Sequence, residues 1–524
     1  MGSFDVIVIG AGHNGLVCAL FLAKAGLSVC VLEDKPVLGG AVRTEYPFPF
    51  APKLGVSTGA YLLGLMPPEL EQRMGIKLPT RRRDPHYFLP TLGGKYLFMG
   101  ADREATRRNI EHTFSAADFA AHAAMQDELA DFREDVAPTW LREPLSIEGT
   151  AERYVRPARR QAFIDLCRGS VGAYLDRWGF ESDLFKAMYA TTDGFSGCYG
   201  TWDTPGTGMN FLVHNMCRLP QADGTWLIVD GGMGTVTQLI AQEFLRAGGQ
   251  IHTKKPVQEL LVEGNAVKGV VCADGSEFKA AVVVCNADPF RMRGLIGANK
   301  LPAEYNKRID GYERDGSTLK INLALRALPK FSCLPEGVGP GGATVHLLPE
   351  EDRVIASLKS AFADVQDGRL PAFPTIEWYV HTAVDPSLQD PEGRHSSALF
   401  VQWVPYEITG TTWADQEQRY VDHLLSICDR FAPGTSDLVV DRFVLNPQRI
   451  ESHFGITRGH IHHVDNAFGF SDRLPYRTPI AGLYSCSAGC HPAGAVIGAA
   501  GHNAAACVIR DMEARLEMTE LGRR

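Results

Sequence analysis

The sequence predicts an α/β fold in which a Rossmann-type domain is assembled from three separated segments and carries an inserted α+β domain. Three observations support this prediction. A strand, a glycine-rich turn and a helix open the chain over residues 4–25. A second glycine-rich turn opens a helix after Asp230, and a strand with a loop of small residues precedes a helix after Gly482. Strands that alternate with helices are typical of α/β domains.

The first unit has the pattern of a dinucleotide site. Residues 4–9 (FDVIVI) are apolar and β-branched, which is typical of a parallel strand buried on both faces. A GxGxxG turn follows, in which the first glycine allows the tight turn and the second lets the backbone approach a pyrophosphate. The third glycine lets the helix pack closely on the sheet, and the helix N-terminus offers N–H groups to the phosphates. The residues expected to form this part of the site are Gly10, Gly12, His13, Asn14 and Gly15.

A second strand over residues 28–32 ends in Glu33, which Asp34 follows. Glu33 lies 23 residues after Gly10, close to the spacing of about 20 residues expected for a carboxylate that binds ribose hydroxyls. An acid at this position would repel a 2′-phosphate and disfavours NADP. The residues considered so far are compatible with either FAD or NAD as the cofactor.

Residues 60–217 predict a mostly helical lobe, with helices over 116–136, 160–175 and 183–190. Large side chains at its end are candidates for lining an apolar substrate cavity, with ordinary core packing as the alternative for each. These are Trp202, Met209, Phe211, Met216 and Trp226.

The remaining middle of the chain contains two kinds of unit. A helix over 235–247, a strand over 250–252, a hairpin over 257–273 and a strand over 281–285 continue the nucleotide fold. Alternating strands over 319–325, 344–348, 375–382 and 397–404 predict a largely antiparallel sheet. Residues 337–342 match GxGxxG but follow Pro335-Glu336, not a strand, so no second dinucleotide site is predicted. The predicted nucleotide domain comprises 1–75, 220–300 and 446–524, and the predicted substrate domain comprises 76–219 and 301–445.

Composition narrows the possible partners. The net charge of −9 argues against a nucleic-acid binder, and the basic run Arg81–Arg83 is expected to be a solvated loop. The 12 cysteines contain no CxxC pair, so neither a dithiol redox motif nor a metal site is predicted. No apolar run of about 18 residues and no targeting segment is visible, so we expect a cytoplasmic protein. Peripheral membrane contact and the oligomeric state stay open.

Two further segments resemble a known family. Residues 36–44 (PVLGGAVRT) resemble the GG motif of flavoproteins that include amine oxidases and phytoene desaturases, with Ala41 in place of the usual arginine. Residues 482–503 resemble the C-terminal signature LYxCxxGxHPGGGVxGxxGxNAA of phytoene-desaturase-like proteins, with Ala493 and Ala495 in place of glycines. The best-matching subgroup is that of the pyridine nucleotide-disulfide oxidoreductase domain-containing protein 2. Despite that name, this chain has no paired cysteines for disulfide chemistry.

The resemblance implies FAD in a glutathione-reductase/amine-oxidase-like fold. It implies that Gly39 and Gly40 pass beside the flavin phosphates, and that Val257 lies by the adenine. Arg43 would offer charge to the pyrophosphate or line the flavin edge, with a surface salt bridge as the alternative. The residues implied to lie at the flavin ring are Gly489, His491, Gly494, Val496 and Ile497.

Candidate catalytic residues also come from the resemblance. Lys320 resembles the amine-oxidase lysine that holds a water near flavin N5, with a surface lysine at a strand edge as the alternative. His463 matches a histidine of the subgroup and is a candidate acid/base or flavin contact. Glu377 is a weaker candidate, expected to face solvent or to form a salt bridge. The main hypothesis is an FAD-dependent oxidoreductase that takes hydride from an apolar small molecule. The alternatives are a redox-neutral isomerase or reductase that uses reduced flavin, and a non-catalytic flavin-bearing interaction protein.

Overall fold

The structure is a computed structural model that describes residues 2–222, 224–349 and 351–521. Within these residues, the strands of three or more residues are β1 (Val6–Ile9), β2 (Val29–Leu32), β3 (Tyr87–Pro90), β4 (Tyr96–Met99), β5 (Gln250–His252), β6 (Val257–Glu263), β7 (Ala266–Cys272), β8 (Glu277–Lys279), β9 (Val282–Cys285), β10 (Thr318–Leu325), β11 (Thr344–Leu347), β12 (Thr375–Val380), β13 (His395–Gln402), β14 (Val439–Leu445) and β15 (Leu483–Ser485). The α-helices of the same part of the chain are α1 (His13–Lys24), α2 (Pro68–Met74), α3 (Arg103–Thr113), α4 (Ala116–Val136), α5 (Ile147–Arg153), α6 (Arg160–Arg168), α7 (Val171–Asp176), α8 (Asp183–Tyr189), α9 (Thr207–His214), α10 (Gly234–Arg246), α11 (Pro289–Ile296), α12 (Ala303–Gly311), α13 (Val354–Gln366), α14 (Trp413–Phe431), α15 (Thr435–Leu438), α16 (Pro447–Phe454) and α17 (Ala499–Leu521).

The predicted Rossmann-type sheet is confirmed. Its five strands are all parallel, in the order β5-β2-β1-β9-β15, and they come from the start, middle and end of the chain. Every residue of β1, β2 and β9 is buried. α1 packs against β1 and β2 and against α10 and α17, and β7 packs against β9. The three segments therefore share one hydrophobic core.

A second sheet has seven strands in the order β14-β10-β13-β12-β11-β3-β4, antiparallel except for the β3–β11 pair. The four strands predicted between residues 319 and 404 are present as β10 to β13. The two faces of this sheet differ in polarity, because alternate residues of a strand point to opposite sides. Leu319, Trp378 and Leu399 belong to a core cluster that includes residues of α14. Lys320, Phe400 and Glu377 are paired in register and so share the opposite, polar face.

Several predicted elements differ in the structure. The hairpin β3–β4 lies in the segment predicted to be mostly helical. The helix predicted over 160–175 is two helices, because α6 ends at Gly169 and the Ser170 hydroxyl accepts a hydrogen bond from the N–H of Ala173 to begin α7. The helix predicted after Gly482 is α17, which begins at Ala499. Gly498, which has a φ of +79° in the left-handed region, precedes it and stops the helix from extending further upstream.

The prediction of a solvated loop at Arg81–Arg83 is wrong for Arg83, which is buried. Its guanidinium donates to the hydroxyl of Thr344 at 2.7 Å and to the carbonyl oxygen of Trp226 at 2.8 Å. A buried cation needs such partners, and carbonyl and hydroxyl oxygens supply them here. Arg83 therefore joins the start of β11, an inner strand of the second sheet, to the segment that leads into α10.

We propose that the domain boundaries follow the two large sheets, with 1–75, 220–300 and 446–524 in one domain and 76–219 and 301–445 in the other. Residues of the helical lobe pack into a separate core cluster. Among the described residues, no helix has both the length and the apolar character needed to cross a bilayer.

Candidate active site

A cavity of about 590 Å³ lies between the carboxyl ends of the parallel strands and the polar face of the second sheet. Ligands of open α/β sheets bind at this end of the strands. Most of the predicted site residues line it, namely Gly10, Gly12, His13, Asn14, Glu33, Asp34, Gly39, Gly40, Ala41, Arg43, Val257, Lys320, His463 and Val496. Five predicted residues are not part of its wall: Gly15, Gly489, His491, Gly494 and Ile497.

Glu33 lies in the nucleotide end of this cavity, directly after β2. Its two carboxylate oxygens accept hydrogen bonds from the backbone N–H groups of Ala11, at 2.7 Å, and Lys35, at 2.8 Å. Burial raises the pKa of Glu33, while these two hydrogen bonds oppose the shift. A carboxylate has about four acceptor positions, so Glu33 retains capacity for hydroxyl donors.

Two glycines of the GxGxxG turn lie at close contacts, and at Gly15 the contact is with a backbone atom, which requires glycine there. A Cβ on Gly12 would lie 2.9 Å from Nδ2 of Asn286, and a Cβ on Gly15 would lie 2.2 Å from the carbonyl oxygen of Gly10. Gly12 thus keeps the cavity wall open, whereas Gly15 permits the turn itself. Its position outside the wall agrees with the packing function that the motif assigns to it.

Arg43 is buried, so the surface salt bridge considered for it is wrong. Its Nε lies 3.1 Å from a carboxylate oxygen of Glu45, and its Nη2 lies 2.6 Å from Nε2 of His453. The guanidinium also lies 5.0 Å from the ring centroid of Phe454. Arg43 thereby ties the GG segment to α16 while one side of it faces the cavity.

Histidines from two distant segments line the cavity. His13 begins α1, and His463 adopts a left-handed φ of 60°. Burial lowers the pKa of each to about 4, so both imidazoles are neutral at pH 7. Among the described residues, Nε2 of His13 and Nδ1 of His463 have no hydrogen-bonding partner. A left-handed conformation at a non-glycine residue is uncommon and often marks a functional site.

The unpartnered polar atoms test whether this cavity suits a nucleotide cofactor. Buried atoms without a hydrogen-bonding partner in the described residues occur on five residues of the wall: His13, Asn14, Tyr61, His462 and His463. Leaving such a group unsatisfied costs roughly 1–3 kcal/mol. A polar cofactor that carries phosphates, hydroxyls and a heteroaromatic ring would supply the missing partners, so the residues present fit FAD.

Arg473 was missed by sequence reasoning, since no motif contains it. It is buried, and its guanidinium donates to the carbonyl oxygens of Cys490 at 3.0 Å, Val464 at 3.0 Å and Ala488 at 2.7 Å. One side chain thus joins the loop of His463 to the C-terminal loop. A Cβ on Gly494 would lie 2.4 Å from Cα of His462, so the two loops touch where Gly494 stands.

Lys320 lies in the part of the cavity wall that the second sheet forms, together with Tyr379 and Phe400. Its Nζ is 4.1 Å from the ring centroid of Tyr61 and 4.3 Å from that of Phe400, and it has no hydrogen-bonding partner among the described residues. Burial lowers its pKa to about 7. The alternative of a surface lysine at a strand edge is wrong, because β10 lies between β13 and β14.

Glu377 does not face solvent, contrary to expectation. It is buried on the same sheet face as Lys320 and accepts a hydrogen bond from the hydroxyl of Tyr379. Burial raises its pKa to about 7, against the effects of Tyr379, Lys320 and Arg83. Glu377 is not part of the cavity wall, whereas Tyr379 is.

The large apolar side chains predicted at the cavity divide into two groups. Trp226 lines it, together with Tyr61 and Phe400. Trp202, Met209, Phe211 and Met216 are buried in the core of the helical lobe, which is the ordinary packing considered as the alternative. His491 is also buried away from the wall, with its ring centroid 5.8 Å from that of Phe470.

Comparison with known proteins agrees with this geometry. The profile of the family described as flavin containing amine oxidoreductase matches residues 15–343. Pyridine nucleotide-disulfide oxidoreductase domain-containing protein 2 of Rattus norvegicus is 32% identical, over 97% of this chain and 94% of its own. Hydroxyneurosporene desaturase of Cereibacter sphaeroides is 25% identical, over 97% and 98%.

A solved structure of a putrescine oxidase double mutant shares the fold, with a TM-score of 0.60, 17% identity and coverage of 97% of this chain and 99% of that one. The resemblance to phytoene-desaturase-like flavoproteins is therefore confirmed, and the cofactor is FAD. The chain belongs to the flavin-containing amine oxidoreductase family and is an FAD-dependent oxidoreductase.

Proposed function

We propose that this oxidoreductase dehydrogenates a small molecule with a largely apolar body. FAD supplies the hydride acceptor, N5 of its ring, for the hydrogen that leaves a substrate C–H bond. The observation that carries the proposal is Lys320, a buried amine with a lowered pKa that faces the cavity between two aromatic rings. Perturbed titratable groups in a cavity are candidates for proton transfer.

Different residues at the nucleotide end of the cavity would bind different parts of FAD. The helix N-terminus at Gly10, Gly12, His13 and Asn14 would hold the pyrophosphate, with Gly15 shaping the turn. Glu33 and Asp34 would accept hydrogen bonds from ribose hydroxyls, and Val257 would lie by the adenine. The GG segment of Gly39, Gly40, Ala41 and Arg43 and the side chain of Val496 would border the rest of the cofactor. Gly489, His491, Gly494 and Ile497 would position the C-terminal loop from behind the wall.

We assign to Lys320 the role of accepting and donating a proton during the reaction. With a pKa of about 7, a substantial share of its side chain is an uncharged amine at neutral pH and can accept a proton from the substrate or from a water. His463 is assigned a contact role, because a pKa of about 4 makes it a poor base at neutral pH. The rings of Tyr61, Trp226, Tyr379 and Phe400 offer apolar faces to the body of the substrate.

Anaerobic titration of the FAD-loaded protein with a panel of alcohols, amines and terpenoid compounds tests this function. We expect at least one compound to bleach the absorption of the oxidised flavin. Lys320→Met should slow that bleaching by about 100-fold or more while the FAD content is unchanged. Lys268→Met, at an exposed lysine, is the matched control and should behave as wild type.

The other hypotheses give different results in the same experiment. Turnover of a compound only after the flavin has been reduced with dithionite would replace the proposal with a redox-neutral isomerase or reductase. A flavin that no compound reduces, before or after that treatment, would favour an interaction protein. Equal rates in wild type and Lys320→Met would remove the assignment of Lys320.

A further inference from the structure

His214, which no motif singled out, lies in the wall of the cavity as the last residue of α9. Its ring stacks on that of Trp226, with centroids 5.3 Å apart and planes inclined by 6°. The indole N–H of Trp226 donates to the carbonyl oxygen of His214 at 3.1 Å. The imidazole is 7% exposed, so its orientation is set by packing rather than by solvent.

The hydrogen bonds of His214 determine which of its nitrogens carries the proton. Nδ1 lies 2.9 Å from the carbonyl oxygen of Asn210. A carbonyl can only accept, so Nδ1 is the protonated nitrogen. Burial lowers the pKa of His214 to about 4, and the ring is therefore neutral at pH 7. Nε2 is then the acceptor nitrogen of a ring whose Nδ1 is held by Asn210.

A second polar side chain lies in the wall of the same cavity. Tyr61 is buried and lines the same cavity, and its hydroxyl has no hydrogen-bonding partner in the described part of the chain. Tyr61 belongs to a cluster against which Trp226 packs, so the stacked His214–Trp226 pair and Tyr61 form one wall. This wall offers an acceptor from His214 and a hydroxyl, able to donate or accept, from Tyr61.

We propose that His214 binds a hydrogen-bond donor of the substrate, and that the substrate class is an apolar body bearing a hydroxyl. This inference rests on the proposed function and names the substrate class of that site. A hydroxyl can donate to Nε2 of His214, and its oxygen can also accept a hydrogen bond, which the Tyr61 hydroxyl is able to donate. An ether lacks the donor, and a hydrocarbon leaves both protein groups without partners, which disfavours its binding.

Binding to the FAD-loaded protein without turnover tests the inference. The probes are cyclohexylmethanol, its methyl ether and ethylcyclohexane, which share the ring and differ in the polar group. Kd is read from the perturbation of the flavin absorption spectrum and checked by calorimetry. We expect the alcohol to bind at least about 10-fold more tightly than the ether and the hydrocarbon, as one well-placed hydrogen bond allows. Equal Kd values, or no binding of the alcohol up to its solubility limit, would overturn the inference.

Two variants locate the effect. His214→Phe keeps a ring on Trp226 and removes the acceptor, and we expect it to lose the preference for the alcohol. His214→Gln keeps an acceptor oxygen near Nε2 and should retain most of the preference. A His214→Phe protein that binds FAD normally and still prefers the alcohol would assign the donor to another residue and contradict the inference. The wild-type comparison needs no variant, so a poorly folded His214→Phe still leaves a decisive measurement.

The two proposals fail in different ways. An alcohol that binds with the expected preference but reduces no flavin contradicts the proposed dehydrogenation alone. A hydrocarbon that binds as tightly as the alcohol and reduces the flavin contradicts the role of His214 alone.

Discussion

Lys320 and Glu377 show how one sheet face places two titratable groups away from water. Lys320 on β10 and Glu377 on β12 are both paired in register with Phe400, which lies on β13 between them. Burial moves the two pKa values toward each other, with that of Lys320 falling to about 7 and that of Glu377 rising to about 7. The charge of each group opposes the pKa shift that burial causes in the other. Small changes in this region therefore change how many protons the pair holds at neutral pH.

The stability of the protein should depend on pH through Lys320. An unfolded lysine has a pKa of about 10.4, so between pH 7 and pH 10 the unfolded chain binds more protons at this residue than the folded protein does. Stability from this group therefore rises with pH across that window, by up to about 1.4 kcal/mol per pH unit. Relative to Lys320→Met, the Tm of the wild type should increase from pH 7 to pH 9.

Lys268→Met serves as the control, since an exposed lysine should give a Tm difference that does not vary with pH. All proteins are compared with FAD bound and at the same salt concentration. A Tm difference between wild type and Lys320→Met that stays constant from pH 7 to pH 9 would show that the pKa of Lys320 is not lowered in the folded protein.

At the scale of elements, the site depends on the contact between α1 and α17, which come from opposite ends of the chain. The contact is close at Gly501, where a Cβ would lie 2.1 Å from the carbonyl oxygen of Asn14 and 3.0 Å from the backbone nitrogen of Cys18. Neither neighbour is a flexible side chain that can move aside. Because Asn14 and His13 line the cavity, a displacement of α17 also alters the cofactor site.

Gly501→Ala should separate these helices, lower Tm by about 1–3 °C and reduce the FAD retained after purification. Overpacking a close contact of this kind costs about 1–3 kcal/mol. Gly311→Ala is the matched control, because a Cβ there meets nothing within 4 Å. The measurements are the ratio of flavin to protein absorbance and the Tm. A Gly501→Ala protein that retains full FAD and the wild-type Tm would refute the importance of this contact.

What the sequence could predict at this scale follows from the range of each signal. β1, the turn and α1 were predicted because the apolar run, the glycines and the helix lie within about twenty residues. The hairpin β3–β4 was missed because each strand has four residues and β3 ends in Pro90. His214 was missed because its acceptor role depends on Asn210, Trp226 and burial, which no local pattern contains. The burial of Lys320 could not be predicted from the sequence, because it depends on β14 pairing with β10, so that β10 is not an edge strand.

At the scale of the whole molecule, one cavity is built from residues that span the chain from Ile9 to Val496. The parallel sheet supplies the nucleotide end, and the second sheet supplies Lys320, Tyr379 and Phe400. A cofactor that fills the cavity would contact both parts. Its binding free energy should therefore stabilise the two proposed domains together rather than one of them.

This arrangement predicts the thermal unfolding of the protein with and without FAD. At FAD concentrations near 100 times Kd, binding should add about 2.7 kcal/mol to the free energy of unfolding, which corresponds to a rise in Tm of roughly 2–3 °C. Calorimetry of the apoprotein and the FAD-loaded protein should show one main transition that shifts as a whole. FMN, which lacks the adenosine expected to reach Glu33 and Val257, should give a smaller shift at equal concentration. Two separate transitions, of which FAD moves only one, would mean that the cofactor is held by the parallel-sheet part alone and that the second sheet closes over it without contributing to its affinity.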